Sequence, residues 1–60
     1  MRRDVAADRC AGMVVWLSSD LRVHVDRVVV RAMGVEVHYW DEDGREMVAI
    51  VPPRTRLAVA

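Results

Sequence analysis

The sequence has no lysine, asparagine, glutamine or phenylalanine, and Ile50 is its only isoleucine. Every basic side chain is therefore arginine, a residue choice typical of GC-rich coding sequences such as those of many bacteria and their phages. A single cysteine, Cys10, excludes an intramolecular disulfide. Glycine and proline are also scarce, while 53% of residues are hydrophobic, so the chain has the composition of a folded protein. Net charge is absent too. Nine arginines balance nine acidic residues, so no global field draws the protein to nucleic acid or an anionic membrane, and any such binding has to be local.

Long apolar runs are missing. The run from Ala11 to Leu17 spans seven residues, against about 20 for a membrane-crossing helix. Met1-Arg2-Arg3 is followed by Asp4 and Asp8, a poor start for a signal peptide, and Asp8-Arg9 before Cys10 argues against a lipoprotein signal. The expected setting is a reducing cytoplasm, without membrane contact.

What is present is a run of Val-rich alternating segments. Residues 1–12, mixed in charge and rich in alanine, read as a short helix or arm, and residues 13–60 as one small β domain. Gly12 and the Val14-Val15-Trp16 run favour a strand at 13–17 over a longer helix, with a turn at Ser18-Ser19-Asp20. Leu21, Val23 and Val25 share one phase, whereas Val28, Val30 and Ala32 share the other. A bulge at Asp26-Arg27 is needed to keep one apolar face on the core.

Two turn signals fix a register for the strands that follow. A type I′ turn at Asp43-Gly44 sets Tyr39 opposite Val48, Val37 opposite Ile50 and Val35 opposite Pro52. A turn at Met33-Gly34 sets Arg31 opposite Glu36, Val30 opposite Val37, Val28 opposite Tyr39 and Arg27 opposite Trp40. A four-residue loop there keeps the facing parity and shifts the partners. The inner face then holds Val28, Val30, Ala32, Val35, Val37, Tyr39, Val48 and Ile50. The outer face holds Arg27, Val29, Arg31, Glu36, His38, Trp40, Met47, Ala49 and Val51.

Pro52-Pro53 ends the fourth strand, since proline cannot donate a ladder hydrogen bond, and a short strand follows at Leu57 to Ala60. The fold expected is mainly β: an antiparallel meander of four or five strands that could close as a small barrel. The stretch Gly44 to Val59, with a strand, a proline corner and a short last strand, loosely resembles the end of SH3-like and Sm-like barrels.

Chemistry-bearing patterns are few. Asp41-Glu42-Asp43-Gly44 with Glu46 lacks the ligand spacing of a calcium loop and reads as a solvated hairpin tip. His24 and His38, even with Cys10 or Asp26, lack the close ligand pairs of a zinc finger or knuckle. Ser18, Ser19, Thr55 and Cys10 lie in no nucleophile motif, and the isolated glycines form no phosphate loop. No enzyme activity, cofactor or metal is expected.

A chain of sixty residues buries only about 60% of the surface its unfolded form exposes. Ordering costs of roughly 1.5 kcal/mol per residue nearly cancel the gain from that burial. An apolar outer face in so small a domain points to assembly, as a homo-oligomer or as a subunit docked on a larger protein. Trp40, Met47, Ala49, Val51 and Val29 are the expected interface. The alternative is a small barrel that binds RNA or single-stranded DNA through Arg27, Arg31, Trp40, Arg54 and Arg56. In the blander reading of that surface, Arg31 pairs with Glu36 and Arg27 covers Trp40.

Overall fold

The computed structural model describes residues 3–60 and contains six strands in one antiparallel sheet. They are β1 (Asp4–Ala6), β2 (Val14–Ser18), β3 (Leu21–Arg31), β4 (Gly34–Trp40), β5 (Glu46–Val51) and β6 (Arg56–Val59). Their order across the sheet is β1-β6-β2-β3-β4-β5. The N-terminal stretch expected to be a helix or arm contains β1 and a single 3₁₀ turn, Ala7–Arg9. Residues 1 and 2 of that stretch lie outside the described part. Alanine content suggested a helix, but pairing with the distant C-terminal strand decides: Asp4, Val5 and Ala6 lie opposite Ala58, Leu57 and Arg56.

Strand β3 is the spine of the fold. Its first half pairs with β2 and its second half with β4, and the register shifts between Val25 and Arg27. This is the bulge that the change of phase at Asp26 requires. It brings Val23 and Val25 onto the same side as Val28, which lies opposite Val37. A bulge of this kind bends the strand and lets it serve two differently oriented parts of a sheet.

The core is small and apolar: Ala7, Cys10, Val15, Val23, Val25, Val35, Val37, Tyr39 and Leu57 are buried. Residues before β2 supply two of these, so the N-terminal segment plugs the inner side of the curled sheet. The sheet is not closed into a barrel. β6 inserts between β1 and β2, leaving β1 and β5 as its two edges.

Both hairpins differ in detail from the expected register. In the β3–β4 hairpin the turn residues are Ala32 and Met33, with Arg31 opposite Gly34 and Val30 opposite Val35. The shift is two residues, so the parity of the faces is preserved, but Ala32, expected in the core, becomes an exposed turn residue, and Val30, expected beside it, is 66% exposed. Gly34 has no positive φ. It is needed because a Cβ there would lie 2.7 Å from the carbonyl oxygen of Val51.

In the β4–β5 hairpin the shift is one residue, and its effect is large. Gly44 N–H donates to the Asp41 carbonyl (3.1 Å), and Asp41 N–H donates to the Arg45 carbonyl (3.0 Å). Glu42 and Asp43 at the turn centre keep negative φ, and only Gly44 is left-handed, at φ 78. This is a tight turn followed by a glycine bulge, not a type I′ turn. The Asp41 side chain explains the choice, since its Oδ1 accepts from Asp43 N–H (2.9 Å) and Arg45 N–H (2.8 Å).

A one-residue slip exchanges the faces of a strand. Met47, Ala49 and Val51 therefore lie opposite Tyr39, Val37 and Val35 on the core side. Val48 and Ile50, expected in the core, are on the outer face opposite His38 and Glu36.

Candidate interaction edge and outer face

The outer face is built around a chain of charges crossing β3, β4 and β5. Arg31 Nε donates to Glu36 Oε2 at 2.9 Å, the pair expected from the sequence. Glu36 Oε1 lies 3.1 Å from His38 Nε2, and His38 Nδ1 lies 3.4 Å from Glu46 Oε1. Arg27 then reaches Glu46 at 3.5 Å. Strand geometry produces this row, because Arg27 lies opposite His38, and Trp40 opposite Glu46, across adjacent ladders. His38 is only 6% exposed, so a glutamate on each ring nitrogen satisfies a side chain that would otherwise be costly to bury.

Glu36 is held below the usual carboxylate range, chiefly by the hydrogen bond from Arg31 and then by the one with His38. Burial pushes the Cys10 thiol up, and its Sγ donates to the Ala7 carbonyl at 3.1 Å. A raised, fully buried thiol is the opposite of an activated nucleophile. Among the described residues, no group of three or more His, Cys, Asp or Glu side chains is arranged to hold a metal ion. The two glutamates sit on opposite sides of the imidazole ring instead of converging with it.

Of the residues expected at an interface, Trp40 and Val29 are on the outer face. Met47, Ala49 and Val51 are not, and Ala49 and Val51 pack against the core. The error follows from the turn, because the parity of β5 depends on where the glycine bulge falls. Val48 and Ile50 replace them, with Ile50 72% and Val48 47% exposed, on the same face as Trp40 at 53%. Trp40 is not covered by Arg27, which pairs with Glu46. The cation–π contact is made elsewhere, with Arg22 6.0 Å from the ring of Trp16 on β2.

The arginines expected to bind nucleic acid are not gathered in one place. Arg27 and Arg31 lie on β3, whereas Arg56 lies on β6, where it pairs with Asp4 at 3.3 Å, and Arg54 lies in the β5–β6 corner. Arg27, Arg31 and Arg56 each have a carboxylate partner.

The feature that face-by-face reading of the sequence misses is the edge. Since the Asp41 and Arg45 backbone groups bond each other, ladder alternation turns the N–H and C=O of Met47, Ala49 and Val51 toward β4. Those of Glu46, Val48 and Ile50 then point away from the sheet. β5 thus presents an unpaired, mostly apolar edge. The opposite edge is protected: β1 has three residues and carries Asp4 in its ion pair with Arg56. Among the described residues, no helix is long and apolar enough to cross a membrane. Comparison of the chain with protein families, curated proteins and solved structures finds no match.

Proposed function

We propose that the protein is a small non-enzymatic β module that works by assembly, either with further copies of itself or docked on a larger protein partner. The observation that carries this reading is the exposed apolar pair Val48 and Ile50 on β5, the unpaired edge strand of the sheet, with Trp40 half-exposed on the same face of the neighbouring β4. Apolar side chains beside free backbone donors and acceptors favour pairing with another chain and are normally guarded against. The small core supports it further, since contact with a second chain would add the burial that a chain of this length lacks. Analytical ultracentrifugation over a range of concentration is the test. A mass that rises with concentration and holds in high salt supports assembly through apolar contact.

A second reading, binding of RNA or single-stranded DNA, is favoured by the half-exposed ring of Trp40 on the same face as Arg27 and Arg31. Titration with labelled oligonucleotides at increasing salt separates the two. Such binding weakens steeply as counterions accumulate. No binding at low salt rules this reading out.

A further inference from the structure

We infer that two copies of the chain join by antiparallel pairing of their β5 edges, so that two six-stranded sheets continue as one. This specifies the assembly reading and rests on it. The first support is that β5 is the unguarded edge of the sheet. It is six residues long, and no charge interrupts Met47 to Val51. Natural edges are usually shortened, bulged or charged to prevent such pairing.

The second support is that the strand is self-complementary under a two-fold axis. With Val48 opposite Val48 of the second copy, Glu46 lies opposite Ile50 in both directions. Those are the three residues whose backbone groups point outward. An isologous contact of this kind satisfies every outward donor and acceptor of the strand at once.

Charge selects a second copy over an unrelated extended peptide. The β4–β5 turn carries Asp41, Glu42 and Asp43 at the start of β5, and Arg54 follows the Pro52-Pro53 corner at its end. Antiparallel pairing sets the end of each β5 that carries the acidic turn beside the end of the other that leads into Arg54. Parallel pairing would set like charge beside like charge.

Amide hydrogen exchange on the wild-type protein, at concentrations below and above any change in mass, tests the arrangement directly. The amides of Val48 and Ile50 should be unprotected in the monomer and become protected as dimer forms, while Ala49, bonded to β4, is protected throughout. Ile50→Pro removes an outward N–H and the exposed isoleucine side chain without breaking a ladder bond to β4, and Val48→Lys places a charge on an exposed position. Each should weaken dimerisation by about tenfold or more while circular dichroism shows a folded monomer. Arg54→Glu should weaken it too, because it sets like charge at the two ends that antiparallel pairing brings together. A dimer whose Val48 and Ile50 amides exchange as fast as in the monomer overturns edge pairing and leaves the assembly reading standing. A wild-type monomer at all concentrations overturns edge pairing and self-association together, leaving docking on a different protein as the one form of the assembly reading.

Discussion

Gly34 and Gly44 are both costly to replace, for different reasons. At Gly44 nothing lies within 4 Å of an added Cβ, but φ is +78, so the cost of a side chain is backbone strain. Gly44→Val should lower stability by at least about 1 kcal/mol, and Gly44→Asn by much less. At Gly34 the conformation is ordinary and the Val51 carbonyl stands in the way, so Gly34→Ala should cost about 1 to 3 kcal/mol despite better strand propensity. Denaturant midpoints read both. Glu36 is a residue-scale pH sensor. Its folded pKa is depressed, so its stabilisation is present above the ordinary carboxylate range and is lost as pH falls through the lowered value. Glu36→Gln should therefore flatten the acid limb of the melting temperature plotted against pH. The effect should be modest, because the group is solvent-accessible. Cys10 should resist alkylation in the native state and react once the protein is unfolded.

At the scale of the strand, facing residues predict which substitutions the fold tolerates. Val37 is fully buried between Val28 and Ala49, so Val37→Asp should abolish folding by burying an unpaired carboxylate. A sharper test lies in adjacent positions of β5: Ala49→Asp should destabilise strongly and Val48→Asp little, by circular dichroism melts. The register expected from the sequence alone requires the reverse. The strands from β2 onward, the Asp26 bulge and the parity of β3 and β4 were legible, because apolar and polar residues alternate over 21–25 and 35–39, although the Val28-Val29-Val30 run did not show that the core ends before Val30. β5 was not. Met47, Val48, Ala49, Ile50 and Val51 are all apolar, so alternation does not choose a face, and the choice passes to the turn. The deciding atom is Asp41 Oδ1, whose two backbone hydrogen bonds place the bulge one residue away from the Asp-Gly pair. β1 was hidden for another reason: three residues show no periodicity, and their partner lies at the far end of the chain.

For the molecule as a whole, the expectation that followed from length was that something beyond the chain completes its burial. The N-terminal segment fills the inner side from within the chain, and under the assembly proposal a second chain would add its burial at the β5 edge. Replacing an edge-directed residue should alter mass without altering fold, and replacing a core-directed residue should do the opposite. The pairing of β1 with β6 has a separate consequence. The Arg3 carbonyl accepts from Val59 N–H at 2.8 Å, so the two ends of the described chain lie side by side. Pairing them closes a loop of nearly the whole sequence, the contact whose closure is entropically dearest and slowest to form. A short Gly-Ser bridge between the ends would turn it into a local hairpin. New ends could then be opened at the exposed Ala32–Met33 turn. Such a circular permutant should keep the wild-type spectrum, and stopped-flow refolding should show β1–β6 forming early in it and late in the natural order.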